Sequence, residues 1–181
     1  MSAPDDQDQD QTAGVARLNA RSEEAAREGL LRTCGSSRWV TAMIAERPFR
    51  DAAHLFSAVS RHWKDSTRAD LLEAFAHHPR IGDAASAKTP NDARGAAWAA
   101  KEQAGAASGS DETKQRLAEG NRAYEARFGH VYLVCATGKS AEEMLALLTA
   151  RLRNGATEEL AIAAGEQEKI AHIRLERWLS E

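Results

Sequence analysis

The first place where chemistry could reside in this 181-residue chain is His77-His78-Pro79-Arg80-Ile81-Gly82. Pro79 forces the helix before it to stop, because the residue preceding a proline avoids the α region and proline has no N–H to give. The negative end of a helix dipole favours a protonated imidazole. A histidine placed there is poised near neutral pH as a general acid or base. Gly82 follows as a residue that tolerates φ > 0. The same pattern also suits a solvated histidine pair at a helix end. Metal binding is not expected. Adjacent helical residues point roughly 100° apart, and neither an HExxH motif nor a second His/Cys cluster accompanies the pair.

A second candidate is Glu102-Gln103, set in a helix of mostly small residues. A carboxylate beside an amide can orient an imidazole and read a urea-like or imide-like ligand; solvated helix polarity is the plainer alternative. Arg151, Arg153 and Arg174 could each grip a carboxylate bidentately, or form surface ion pairs. Arg174, flanked by Ile173 and Leu175, starts nearest the core. No glycine-rich phosphate loop or nucleophile elbow occurs, so a nucleotide cofactor has no support. Trp39, Trp63, Trp98 and Trp178 read as core and interface anchors.

The elements that must position these residues are helical. Helices are expected over about 22–32, over a short stretch from Ser37 as N-cap to Arg47-Pro48, and over 51–64, where Leu55, Val59 and Trp63 make one apolar stripe. Thr67 to Asp70 forms a capping box for a helix that buries Leu71, Leu72 and Phe75 and stops before Pro79. After a loop at 82–90, helices follow over about 91–105, from Ser110 to Gly129, from the Ser140–Glu143 capping box to Asn154-Gly155, and over 157–179. Val131 to Cys135 is the one strand-like stretch; lacking a partner, it is expected as an extended segment between helices. The expected fold is an all-α, single-domain bundle of about eight helices with one short extended segment. Residues 1–14, acidic and without apolar periodicity, are expected to be a disordered tail ahead of a domain spanning 15–181.

Composition narrows the function classes. The balance of 24 Lys+Arg against 27 Asp+Glu gives a net charge of −3, which argues against a general nucleic-acid binder or a polybasic membrane binder. No apolar run approaches the roughly 20 residues needed to span a bilayer. The start of the chain has neither the basic residues nor the apolar stretch of a secretory signal. The two cysteines, Cys34 and Cys135, are too far apart for a CxxC pair and read as reduced thiols. A cytoplasmic protein acting on a small molecule, or associating with other proteins, is expected.

Taken in order, these features resemble the OHCU decarboxylase family of urate degradation, whose substrate is 2-oxo-4-hydroxy-4-carboxy-5-ureidoimidazoline (OHCU). The resemblance begins at Leu18-Asn19, Ser37-Arg38-Trp39-Val40 and Arg47-Pro48-Phe49. Its most specific element is His78-Pro79-Arg80-Ile81-Gly82, in the form that bacterial members carry. Glu102-Gln103 with Gly105, then Asn121, Tyr124 and Phe128-Gly129, continue it. Val131 to Cys135, Gly138, Arg151-Leu152 with Asn154, Glu159-Leu160, and Ile170 with Arg174-Leu175 complete a match over about residues 15–179. The resemblance implies an all-helical homodimer without metal or organic cofactor, converting OHCU to CO2 and (S)-allantoin. By position, His78 matches the catalytic histidine and Glu102 the glutamate that works with it. Pro79, Gln103 and Arg174 match substrate contacts, as do the backbones of Val131, Tyr132, Leu133 and Val134. Ala99 matches a contact position where the family often has serine, so a side-chain hydroxyl is absent. That departure leaves an alternative: a helical module that binds allantoin or a related ureido compound without the chemistry.

Overall fold

The structure, a computed structural model, describes residues 4–82 and 93–181. Among them are ten helices and no sheet: α1 (Pro4–Ala20), α2 (Glu23–Thr33), α3 (Ser37–Ala45), α4 (Ala52–Lys64), α5 (Arg68–Ala76), α6 (Ala93–Glu102), α7 (Ala104–Ala107), α8 (Asp111–Phe128), α9 (Ala141–Arg151) and α10 (Ala156–Leu179). Residues 83–90 of the loop expected at 82–90 and the start of the helix expected at 91 lie outside the described residues. No described helix is long and apolar enough to cross a membrane.

The all-α expectation holds, with two helices more than expected. One is α1, whose backbone is helical across 4–14, the stretch expected to be disordered. Val15 and Leu18 are buried and anchor this helix, and propagation from an anchored turn is easier than nucleation. The other arises because the helix expected over 91–105 breaks at Gln103, which becomes the N-cap of the short α7.

The chain divides into two compact units, residues 1–71 with 168–181 and residues 72–167. In the first, side chains of the predicted types start the helices: the Ser22 hydroxyl accepts from Ala25 N–H, Asp51 from His54, and Thr67 pairs reciprocally with Asp70. The cap of α3 is Ser36 rather than Ser37, because Ser36 has the extended backbone that lets its hydroxyl reach the Trp39 N–H at 3.3 Å. Leu55, Val59 and Trp63 are buried as their spacing predicts. The indole of Trp39 donates to the Val59 carbonyl at 3.2 Å, so this large apolar group is buried without stranding its N–H. Asn19 clamps Phe49 from both sides, donating to its carbonyl at 2.7 Å and accepting its N–H at 2.9 Å. The guanidinium of Arg47 caps the end of α1 through the carbonyls of Leu18 and Asn19. These sequence motifs therefore serve packing within this unit.

The second unit is built on α8 against α9, with α7 also on α9. Leu117, Tyr124, Phe128, Tyr132, Val134, Met144 and Leu148 form its core, and Ile81 joins them. Ser110 caps α8 and the Ser140–Glu143 box caps α9 as expected. Gly129 ends α8 at φ 77°, a left-handed conformation that glycine adopts without steric cost. The chain then runs through 131–136 without helix or strand partner.

Candidate active site

Helix α5 closes with short backbone bonds, from His77 to Ala74 and from His78 to Phe75. The two histidines then part: His77 is half-buried, while His78 and Pro79 are buried. His78 lines a cavity of about 360 Å3 together with Arg80, Glu125, His130 and Val131. Only one imidazole of the pair, that of His78, lines that cavity. Among the described residues, no three or more His, Cys, Asp or Glu side chains are grouped to hold a metal ion.

Each residue after His78 is tied down separately. The Pro79 carbonyl accepts from Gln103 Nε2 at 3.4 Å, and the Gly82 N–H donates to Gln103 Oε1 at 3.2 Å. Arg80 makes a bidentate pair with Glu125 at 2.5 and 2.8 Å. Ile81 enters the core while its carbonyl accepts from Asn121 Nδ2 at 2.8 Å. Gly82 turns the chain at φ 81°. One amide, Gln103, thus joins the Glu-Gln pair to the His-Pro segment.

Glu102 is 8% exposed, an unusual burial for a carboxylate. Its charge reaches the Cys135 thiol. Burial pushes that thiol's pKa up; Lys139 opposes the rise, and the carboxylates of Glu166 and Glu102 add to it. Ala99 lies one turn before Gln103, and its carbonyl already accepts the Gln103 N–H at 3.0 Å. A Cβ on Gly105 would collide with the Lys139 carbonyl, so α7 and the turn after the extended segment approach as closely as backbone allows.

Side chains hold the segment 131–135. Val131 O accepts from His130 Nδ1 at 3.0 Å, and Leu133 O from Arg151 Nη1 at 2.7 Å. The Cys135 N–H donates to Glu166 Oε2 at 2.7 Å, and its carbonyl accepts from Lys139 Nζ at 2.8 Å. The Tyr132 hydroxyl donates to Met144 O at 3.2 Å. Burial raises the pKa of both Tyr124 and Tyr132, so both phenols stay protonated.

The three arginines separate clearly. Arg151 is committed to Glu159 through Nε and Nη2 at 2.8 and 2.5 Å, and Tyr124 and Asn154 also donate to that carboxylate. Arg153 is exposed. Arg174 belongs to the other unit, where it is buried and donates to the Arg32 carbonyl at 3.1 Å. The structure therefore brings Pro79 and Gln103 into contact, places His78 and Val131 on one cavity, and puts Glu102 within electrostatic reach of Cys135. The sequence singles out neither Glu166 nor Lys139. Each is one charge in a helix or turn with no distinguishing spacing, and only the fold brings them to Cys135.

The chain is similar to known proteins over most of its length. Residues 19–176 match the family model described as OHCU decarboxylase. The uric acid degradation bifunctional protein TTL of Arabidopsis thaliana is 35% identical over 149 residues, covering 82% of this chain and 45% of that protein. The chain thus spans less than half the length of that relative. A crystal structure of OHCU decarboxylase in the presence of (S)-allantoin superposes with a TM-score of 0.70 at 31% identity, covering 89% of this chain and 100% of the other. A crystal structure of (S)-allantoin synthase shares the fold, with a TM-score of 0.66 at 18% identity over 91% of this chain and 53% of the other.

Proposed function

The chain belongs to the OHCU decarboxylase family, and from that membership we propose that it removes CO2 from OHCU to yield (S)-allantoin in urate degradation. The supporting observation is that the Gln103 amide donates to the Pro79 carbonyl and accepts from the Gly82 N–H, which fixes the Glu-Gln pair against the segment bearing His78.

The substrate's own structure sets the task. One ring carbon carries both the carboxylate and a hydroxyl, and its neighbour belongs to a C=N bond. As the bond to the carboxylate breaks, its electron pair forms a double bond to the neighbouring carbon, and the imine nitrogen takes up the displaced charge. CO2 departs. The imine nitrogen takes a proton from solvent, the hydroxyl then loses its own proton as the product carbonyl forms, and a proton arrives at the neighbouring carbon. The electron sink is internal to the substrate, so the protein's work is orientation and proton handling.

In this reading His78 moves the proton, and delivery to one ring face yields one enantiomer. Glu102 holds the imidazole or the substrate hydroxyl in the reactive orientation. The backbone of 131–134 meets the ring, and Pro79, Ala99 and Gln103 border it. Arg174 enters by family correspondence, as a donor to an anionic or carbonyl group. A cytoplasmic homodimer is part of the same reading, and light scattering of the purified protein tests the dimer.

The decisive experiment follows the circular dichroism of allantoin formed from freshly generated OHCU. A fast signal of one sign with wild type, lost in His78→Ala, is the expected result. Equal racemic backgrounds from both proteins would remove the assignment. OHCU also decays unaided to racemic product, so the sign of the signal is the informative quantity.

A further inference from the structure

The peptide groups engaged along 131–135 belong to alternate residues: the carbonyls of Val131, Leu133 and Cys135, and the N–H of Cys135. Alternate residues of an extended chain present their peptide groups at one edge. Side chains from 130, 139, α9 and α10 thus satisfy peptide groups that no strand partner meets. Three of the four are charged, and charge-assisted hydrogen bonds are roughly twice as strong as neutral ones.

We propose that Glu166 and Lys139 are positioning residues that set the register of this segment for the substrate, by clamping the Cys135 peptide at its N–H and its C=O. The inference rests on the reading that the backbone of 131–134 meets the substrate ring. Arg151 also holds the segment, but its pairing with the fully buried Glu159 ties it to folding as well. Glu166 and Lys139 are half-buried and reach the segment from solvent-accessible positions, so their removal leaves the core intact. The Lys139 backbone is itself fixed by its close approach to Gly105, which gives its ammonium a rigid base. The Cys135 thiol, whose ionisation burial opposes, remains neutral and leaves the Lys139 charge to the carbonyl. A small error in the register of such a segment displaces every contact made by its backbone, and misplacement by about 1 Å can cost about a hundredfold in rate.

The test uses the full chain as wild type, Glu166→Gln, Glu166→Ala and Lys139→Met. Two quantities are read: steady-state constants with OHCU, and the Kd for (S)-allantoin by calorimetry. Glu166→Ala is expected to raise KM and the allantoin Kd together by roughly tenfold, the scale of one lost charged hydrogen bond, with a smaller change in kcat. Glu166→Gln keeps an acceptor and recovers most of both. Lys139→Met shifts both constants in the same direction. Unchanged KM and Kd in Glu166→Ala, or a loss confined to thermal stability, overturns the proposal. If Glu166→Ala does not fold, unchanged constants in Lys139→Met overturn it instead. A wild type without stereospecific turnover refutes the functional reading; the allantoin comparison, which needs no turnover, still decides the clamp.

Discussion

Arg151 and Glu159 form an ion pair inside the unit spanning 72–167, with the Glu159 side chain fully buried. Tyr124 and Asn154 donate to the same carboxylate, and Arg151 spends its remaining reach on the Leu133 carbonyl. A buried pair of this kind adds little net stability over a well-packed apolar pair, but breaking it leaves one charge stranded. Arg151→Ala should therefore lose about 3–5 kcal/mol, read from urea denaturation. The double variant Arg151→Met with Glu159→Leu should lose clearly less than the sum of the two single changes.

His78 and Glu102 should separate in their kinetics. General acid–base assistance is worth about 10²–10⁴-fold, and His78→Ala should lose turnover on that scale with little change in thermal midpoint. Glu102→Gln keeps the shape and one acceptor, so its loss should stay near tenfold. Single-turnover traces of the two variants make the comparison. A loss in Glu102→Gln equal to that of His78→Ala would mean that the charge of Glu102, rather than its hydrogen bonding, drives the step.

Glu46 makes acid stability depend on one cluster in the other unit. Arg61 at 2.6 Å, with His62 at 2.5 Å and His54 at 2.9 Å, holds its pKa at about 2 against an ordinary 4.5. A carboxyl depressed in the folded state adds stability above its unfolded value and loses it as pH falls through the folded one. The contribution should be complete above about pH 4.5 and fade toward pH 2. Urea midpoints of wild type and Glu46→Gln should converge across that window.

Gly105→Ala tests the contact between α7 and the turn at 139. Its methyl group would meet the Lys139 carbonyl, a backbone atom that cannot rotate away. Overpacking of this kind costs about 1–3 kcal/mol. Calorimetry should show a lowered thermal midpoint, and KM should rise as the turn moves the segment that precedes it.

The sequence makes the helices legible where side chain and backbone signals agree. Ser140 with Glu143, Ser110, Asp51 and Gly129 each mark a boundary through a local hydrogen bond or a backbone conformation, and the structure keeps all four. The stop before Pro79 is equally local. Less legible is what depends on long-range packing: α1 extends from buried Val15 and Leu18, and Gln103, where the helix breaks, is also where a side chain meets Pro79 and Gly82. The site divides in the same way. His78 and Gln103 stand out as residue types at a helix end and beside a carboxylate. The roles of Arg151, Glu166 and Lys139 depend on where a segment without a strand partner comes to rest, which no local pattern records.

Helix α8 serves both halves of the candidate site through successive residues. Asn121 and Glu125 hold the Ile81 carbonyl and the Arg80 guanidinium, while Tyr124 donates to the Glu159 carboxylate that anchors Arg151. Opening the last two turns of this helix would release the histidine segment and the extended segment in one event. The amides of 78–82 and 131–135 should therefore open together, and native-state hydrogen exchange is expected to report one shared opening free energy for both.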